Sequence, residues 1–182
     1  MCNRIPPSGH PEVSLRPLVR GDADDWYACL TQPGVLEHTS WQLSSVDDLA
    51  PLFDALETPR APTQIRMAVV DRAGALVGSI GFHSIQWPHG TAEIAYELCP
   101  AYWGRGIASA LCQSVSRWAL AAFGWHRIQA CVLVTNVASA AVLRRCGFQH
   151  EGRLRHFRQV RGVARDFDVY GLIAADGGIE SR

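Results

Sequence analysis

A glycine-rich run at Gly104–Ser109 has the composition and the setting of a phosphate-binding turn. It follows a strand-like segment, Thr91–Leu98, and it opens a segment whose apolar residues recur at helical spacing. The first turn of a helix has unpaired backbone N–H groups and a partial positive charge. Glycine lets the backbone approach a ligand closely and adopt a positive φ. The run therefore predicts a phosphate-bearing ligand held at the start of a helix.

The elements that must position this turn are predicted from the periodicity of the apolar residues and from turn and capping residues. Ser45 with Asp48 resembles a capping box, and Asn136 is a candidate N-cap. The resulting order, β-α-α-β-β-β-α-β-α-β-β, predicts an α/β fold with a mostly antiparallel sheet. The predicted strands are Val13–Leu18, Ile65–Val70, Leu76–Ile85, Thr91–Leu98, Arg127–Val134, Phe148–Phe157 and Val163–Ile173. The predicted helices are Asp22–Thr31, Ser45–Pro59, Gly104–Phe123 and Asn136–Cys146.

The bulk composition is that of one ordinary globular domain. The chain has 182 residues, of which 48% are hydrophobic and 19% charged, and 17 basic residues balance 17 acidic ones. A formal net charge of zero disfavours nucleic acid as the main partner. No segment approaches the roughly 20 apolar residues that a membrane span needs. We expect a flexible lead-in at residues 1–11, a single domain at 12–174 and a flexible tail at 175–182.

The cysteine pattern indicates free thiols. None of the 6 cysteines is in a Cys-x-x-Cys pair, and most of them lie within apolar runs, as buried free thiols do. We therefore expect a reducing, cytoplasmic location, no disulfide framework and no zinc site.

Four ordered blocks of residues carry a resemblance to a known family. They are Ala92–Leu98, Tyr102–Ala108, Asn136–Ser139 followed by Leu143–Phe148, and Glu151–Arg155 followed by Asp166–Tyr170. In these blocks the chain resembles the GNAT superfamily of acyl-CoA-dependent N-acetyltransferases, and it looks most like the RimJ/RimL-type branch, which acetylates protein N-termini and related amines. The resemblance implies a mixed, mostly antiparallel central sheet of six to seven strands flanked by about four helices.

The resemblance also implies acetyl-CoA as co-substrate, without a metal. The pyrophosphate would lie on the glycine-rich turn, and the pantetheine arm along the end of the preceding strand and on Asn136. Arg144 or its neighbour Arg145 would reach the 3′-phosphate or adenine side; the alternative for this pair is a solvated helix face. The residues implied at the cofactor are Leu98, Cys99, Trp103, Gly104, Arg105, Gly106, Ile107, Ala108, Ser109, Asn136, Ser139 and Arg144.

The chain departs from the superfamily pattern at two positions. Trp103 stands where arginine or glutamine is usual at the phosphate turn, a form that the RimJ/RimL-like branch tends to show, and Arg105 could supply a charge instead. Leu143 stands where many relatives have a tyrosine that protonates the leaving thiolate. These departures leave open a rival interpretation, an acyl-CoA-binding module without catalysis.

Glu93 and Ser139 are the candidate catalytic residues. Glu93 aligns with the glutamate that acts as general base in histone-acetyltransferase relatives; the alternative is a structural or solvent-facing glutamate. An α-amine, with a pKa of about 7.7–8.0, is already roughly one-tenth neutral near pH 7, whereas a lysine, near 10.4, needs a well-tuned base. Ser139 would contact the thioester sulfur in place of the missing tyrosine.

The acceptor is expected to bind between the first two helices and the last hairpin, lined by His38, Trp41, Tyr96 and Phe157. A protein or peptide N-terminal α-amine is the favoured acceptor; an aminoglycoside, a polyamine or an amino acid stays open. The arginines of the last hairpin are interpreted as a solvated face. A homodimer through that hairpin or through the sheet edge is also left open.

Overall fold

The computed structural model describes residues 5–57 and 62–176. Within these ranges the strands form a single sheet in the order β1-β2-β3-β4-β5-β7-β6. Every neighbouring pair is antiparallel except β4 with β5, which is parallel. The predicted mixed, mostly antiparallel sheet is thus confirmed. The strands are β1 (Val13–Pro17), β2 (Ile65–Asp71), β3 (Leu76–Gln86), β4 (Thr91–Leu98), β5 (Arg127–Leu133), β6 (Gln149–Val160) and β7 (Val163–Ile173).

The helices of the described residues are α1 (Ala23–Leu30), α2 (Ala50–Leu56), α3 (Ile107–Phe123) and α4 (Val137–Arg145). The predicted Ser45–Asp48 capping box is present, with the Ser45 N–H donating to the Asp48 carboxylate at 2.9 Å. It opens a 3-10 turn that leads into α2. The predicted end of this helix, near Pro59, lies outside the described residues.

The two faces of the sheet carry separate apolar cores. The stripe predicted on the long helix, with Ile107, Leu111, Val115 and Ala119, is buried against one face. On the other face α1 and α2 bury a smaller core around Trp26, which has no exposed surface. A helix with one apolar stripe is stabilised mainly by such packing. Each face of the sheet is therefore closed by helices.

Two glycines on β3 permit close contact with the neighbouring strands. A Cβ built on Gly78 would stand 2.2 Å from the Glu97 carbonyl oxygen, and one on Gly81 would stand 2.0 Å from the Ile65 carbonyl oxygen. No side chain fits at either position without moving a backbone. The glycines thus hold β3 tightly between β2 and β4.

The parallel strands β4 and β5 separate halfway along their length. Thr91, Ala92 and Glu93 of β4 pair with β5. Glu93 with Gln129 is the last of these pairs, and the two strands are not paired beyond it. β4 remains paired with β3 up to Leu98, and β5 remains paired with β7 up to Leu133. The backbone of β4 therefore presents one edge to a cleft between the two strands. This cleft contains the candidate site.

One expectation from the cysteine pattern is wrong: Cys29 and Cys99 form a disulfide, with their Cα atoms 5.2 Å apart. The bond joins the end of α1 to the residue that follows β4. The two cysteines are 70 positions apart in sequence and become neighbours only through the packing of α1 on the sheet. The inference of a reducing compartment from the cysteine pattern loses this support.

The segment before β1 packs on the domain. Ser8 is buried, and its hydroxyl donates to the Val13 carbonyl at 2.6 Å. Ser114 on α3 donates to the Pro7 carbonyl at 2.6 Å. Residues 1–4 of the expected lead-in, and residues 177–182 of the expected tail, lie outside the described residues. In the described part of the chain, no helix is long and apolar enough to cross a membrane.

Candidate active site

The glycine-rich turn opens α3 at the separation of β4 and β5. Gly104 and Gly106 adopt positive φ of +73° and +79°, which L side chains rarely adopt. A Cβ built at either glycine meets no atom within 4 Å, so the space in front of the turn is free. α3 has 17 residues, and the N–H groups of its first turn have no partner within the helix. The turn therefore fits an anionic group such as a pyrophosphate.

A cavity of about 460 Å³ extends from this turn to the start of α4. Among the residues predicted at the cofactor, most line it: Leu98, Trp103, Gly104, Gly106, Ile107, Ala108, Ser109, Asn136 and Ser139. Asn136 caps α4 as predicted, since its side-chain oxygen accepts from the Ser139 N–H at 3.0 Å. The cap fixes both residues at the point where β4 and β5 part.

Three residues predicted at the cofactor are not among the residues that line this cavity. Arg105 pairs with Glu12 at 3.2 Å and stacks on Tyr102, outside the lining of the cavity. Arg144 donates to the Tyr170 hydroxyl at 3.0 Å, and its neighbour Arg145 lines the cavity instead. The Cys99 side chain is in the disulfide, and its N–H donates to the Val77 carbonyl at 2.8 Å. The sulfur and the N–H of Cys99 are thus both engaged within the protein.

Trp103, the departure from the superfamily pattern, has a structural contact of its own. Its indole N–H donates to the Leu98 carbonyl at 2.7 Å, while the side chain remains 48% exposed. The tryptophan therefore ties the phosphate turn to the end of β4. The ring forms part of the cavity wall and adds no charge near the turn.

A second cavity, of about 560 Å³, lies on the other side of the cleft and holds two carboxylates that point the same way from β4. Glu93 is 5% exposed, and Arg158 donates to its Oε1 at 3.0 Å. Glu97 is paired with Arg66, and it also accepts from the Ser79 hydroxyl and from the Trp26 indole N–H, the latter at 2.9 Å. Each carboxylate is thus neutralised by one arginine.

Two further side chains border Glu93. His83 Nε2 lies 3.6 Å from Glu93 Oε1, and burial lowers the pKa of this imidazole, so His83 is neutral at pH 7. Burial, with the Glu93 charge adding to it, raises the pKa of the Cys131 thiol to about 11. Cys131 therefore stays protonated and is not a nucleophile at neutral pH. No group of three or more His, Cys, Asp or Glu in the described ranges could hold a metal ion.

Of the four residues predicted at the acceptor, three line this second cavity: His38, Trp41 and Tyr96. Phe157 does not, because its side chain is 43% exposed and stacks with Phe167, which lines the cavity in its place. Six residues line both cavities and mark their junction, namely His38, Thr39, Tyr96, Glu97, Asn136 and Ser139. A thioester in the first cavity and an amine in the second would meet there.

Two arginines of the last hairpin make specific contacts, which the interpretation as a solvated face did not include, although Arg161 itself is exposed. Arg158 reaches Glu93 inside the second cavity. Arg161, at the turn between β6 and β7, donates to the carbonyls of Leu36 and Glu37 at 2.6 and 3.0 Å. The hairpin therefore holds the loop after α1 against the cleft.

A sheet whose central parallel strands part beside a glycine-rich helix start defines the class of acyltransferases that use acyl-CoA. A family model described as an acetyltransferase (GNAT) domain matches residues 12–149. The chain belongs to this family, and it is an acetyl-CoA-dependent N-acetyltransferase.

The relatives of this chain are all named as N-acetyltransferases, but their names differ in the acceptor that they state. An uncharacterized N-acetyltransferase, YoaA of Bacillus subtilis (strain 168), is 31% identical over 164 residues, which is 87% of this chain and 92% of that protein. A putative ribosomal N-acetyltransferase, YdaF of the same organism, is 33% identical over 100 residues, or 55% of each chain. A spermidine N(1)-acetyltransferase of Vibrio cholerae is 25% identical over 144 residues, 79% of this chain and 82% of that protein.

Solved structures share the fold over almost the whole chain. A crystal structure of a probable acetyltransferase superposes with a TM-score of 0.83 at 25% identity, covering 94% of this chain and 98% of the other. A spermidine N-acetyltransferase from Vibrio cholerae in complex with CoA and spermine superposes with a TM-score of 0.81 at 22% identity, covering 92% and 99%. At 22% identity the second match supports only the assignment of the fold.

Proposed function

We propose that this enzyme transfers the acetyl group of acetyl-CoA to the α-amine of a protein or peptide N-terminus, as in the RimJ/RimL-type branch. The observation that carries the proposal is the charge balance of the acceptor cavity. Glu93 and Glu97 are both matched there by an arginine, and the neutral His83 adds no charge. The cavity thus suits an acceptor with one amine to deliver.

This cavity is less suited to binding a polyamine acceptor. Its further ammonium groups keep their charge at pH 7, because amines of this kind titrate near the lysine pKa of about 10.4. A buried cation needs an opposing charge, and both carboxylates of the cavity already have one. A polyamine would have to displace Arg158 or Arg66, and Arg66 is fixed between Trp26 and Trp41. The spermidine acetyltransferase among the relatives nevertheless makes a polyamine the second candidate.

The proposed mechanism is direct attack by the neutral amine at the junction of the two cavities. Bound acetyl-CoA would supply an activated acetyl group on a thiol leaving group. The unpaired edge of β4 beyond Glu93 offers a backbone N–H to polarise the carbonyl, in the manner of an oxyanion hole. Before the attack, Glu93, in contact with Arg158, would take a proton through water from the ammonium form of the acceptor and so leave the neutral amine. Ser139 would face the departing sulfur.

The acceptor is tested by a panel of amines assayed by release of coenzyme A. Peptides with free and with blocked N-termini are compared with spermidine, an aminoglycoside and single amino acids. We expect the free peptide to have the highest kcat/KM and the blocked peptide to be inactive. A higher kcat/KM for spermidine would overturn the α-amine proposal in favour of the second candidate. Tight acetyl-CoA binding with no thiol release from any amine would support the non-catalytic interpretation.

Glu93→Gln is expected to lower kcat/KM for an α-amine peptide about tenfold at pH 7, because only roughly one-tenth of the amine is neutral without a base. The loss shrinks as the pH rises through about 8, where the amine deprotonates by itself. A pH profile of kcat/KM for both enzymes measures this. Glu151→Gln is the matched control, since Glu151 is bonded to Arg127 at 2.7 Å outside both cavities. A loss independent of pH would argue for a structural Glu93.

The remaining expectations are extensions of this proposal. A cytoplasmic location would suit an enzyme that consumes acetyl-CoA and modifies newly made protein. A homodimer could form along β6, the last strand of the sheet, whose outer edge has no neighbouring strand within the described residues. Size-exclusion chromatography with light scattering decides the oligomeric state.

A further inference from the structure

The hydroxyl of Tyr96 lies at the junction of the two cavities, against the residue proposed to face the leaving sulfur. Its oxygen is 3.0 Å from Ser139 Oγ and 3.4 Å from the Ser139 carbonyl oxygen. The contact joins β4 to α4 across the gap where β4 and β5 part. Both residues line the acceptor cavity as well as the cofactor cavity.

The helix position that carries a tyrosine in many relatives cannot supply a hydroxyl here. Leu143 has no exposed surface and packs in the main core beneath α4. Tyr96 brings a phenol from β4 to the start of α4, where its oxygen lies within hydrogen-bond distance of Ser139 Oγ. The chain therefore has a hydroxyl pair where the family usually has a single hydroxyl.

We propose that Tyr96 is a positioning residue that donates to Ser139 Oγ and so turns the Ser139 hydroxyl proton toward the sulfur. A hydroxyl that accepts a hydrogen bond is polarised and becomes a better donor. This proposal rests on the function proposed above, in that Ser139 faces the leaving thiolate. It does not depend on which amine is the acceptor.

In the step itself, the amine nitrogen forms a bond to the carbonyl carbon, and the carbon–sulfur bond breaks with its electron pair on sulfur. The thiolate accepts the Ser139 hydrogen bond and takes up, through water, the proton that the nitrogen releases. Tyr96 keeps its proton throughout. Burial raises the pKa of the Tyr96 phenol well above its ordinary value, with the nearby Cys112 adding to the shift, so the phenol remains a donor at working pH.

The test is a double-mutant cycle of Tyr96→Phe, Ser139→Ala and the two together, assayed with the best acceptor of the amine panel. Removal of a hydrogen bond to a charged group, worth about 1.5–3 kcal/mol, lowers kcat for Ser139→Ala by roughly 10- to 100-fold. We expect Tyr96→Phe to lower kcat about five- to tenfold, with the KM for acetyl-CoA unchanged. The double variant should be no slower than Ser139→Ala, because Tyr96 acts through Ser139.

Three results would overturn the proposal. They are a Tyr96→Phe enzyme with wild-type kcat, losses that multiply in the double variant, and a Ser139→Ala enzyme with unchanged kcat. A wild-type kcat for Tyr96→Phe would leave the role of Ser139 at the sulfur intact. An unchanged kcat for Ser139→Ala would refute that role as well. Tyr27→Phe, on α1 and outside both cavities, controls for loss of a tyrosine hydroxyl. Thermal unfolding of each variant separates a lost fold from a lost contact.

Discussion

Gly106→Ala is expected to weaken acetyl-CoA binding by roughly 10- to 100-fold, the equivalent of one hydrogen bond to a charged group. The glycine has φ of +79°, and the free space in front of it is where the pyrophosphate would lie. An added Cβ would occupy that space, and the backbone would move to relieve the positive φ, turning N–H groups away from the ligand. Calorimetric titration with acetyl-CoA measures the loss.

Gly74→Ala is the matched control for this variant. Gly74 has a comparable φ of +87° in the turn between β2 and β3, and a Cβ there also meets no atom within 4 Å. Both substitutions therefore introduce a similar backbone strain, of the order of 1 kcal/mol, but only one of them lies at the phosphate turn. Equal acetyl-CoA affinity in the two variants would show that the α3 turn does not bind the phosphates.

Arg66→Met is expected to destabilise the fold by about 3–5 kcal/mol, because it leaves the Glu97 carboxylate buried without its counter-charge. The Arg66 side chain is 5% exposed and that of Glu97 is 13% exposed. Arg66 also donates to Ser79 at 2.6 Å and stacks on Trp26 at 5.4 Å. Urea unfolding, read as the free energy of unfolding in water, measures the cost.

Two further variants make this prediction specific to the buried charge. Arg66→Met combined with Glu97→Gln should recover part of the loss, because the carboxylate that lacks a partner is then gone. Arg20→Met removes an arginine whose partners Asp54 and Glu57 are exposed, and we expect little change in the unfolding midpoint. A cost for Arg66→Met no greater than that for Arg20→Met would contradict the prediction.

The sequence predicted those features that depend on neighbouring residues. The strand Thr91–Leu98 has its predicted bounds, and Asn136 caps α4 as predicted. The start of α3 was placed too early, because Gly104 and Gly106 take positive φ and the helix begins at Ile107. The glycine-rich turn before α3 was predictable for the same reason, since glycine spacing before an apolar helix is a local pattern.

The errors arise where distant segments meet or where a strand is irregular. The register of β6 shifts between Leu154 and Arg158, and His156 takes φ of 49°, so alternation cannot tell which side chains point inward. Phe157 is therefore exposed, and Arg158 reaches the acceptor cavity. The Cys29–Cys99 bond depends on packing between residues 70 positions apart, which no local pattern records.

The sequence also carries a signal for the acceptor site, in the strand that becomes β2. Arg66 is the only charged residue between Ile65 and Val70, inside an otherwise apolar strand. A lone arginine in such a strand needs a buried counter-charge, and the alternation of a strand places Glu97 on the same face of β4 as Glu93. No such signal shows which of Arg144 and Arg145 lines the cofactor cavity. Adjacent helix residues point about 100° apart, so the answer depends on how the helix is rotated against the sheet.

The separation of β4 from β5 leaves parts of the enzyme that border only one of the two cavities. The phosphate turn and α3 line the first cavity alone, β2 and the β6–β7 hairpin line the second alone, and the loop after α1 and the start of α4 line both. Under the proposed function, substitutions in β2 and in the hairpin would alter which amine fits, while the acetyl donor would continue to meet the same backbone. Such a division would allow a lineage to acquire new acceptors without rebuilding the donor site, and it offers protein engineers a region to diversify.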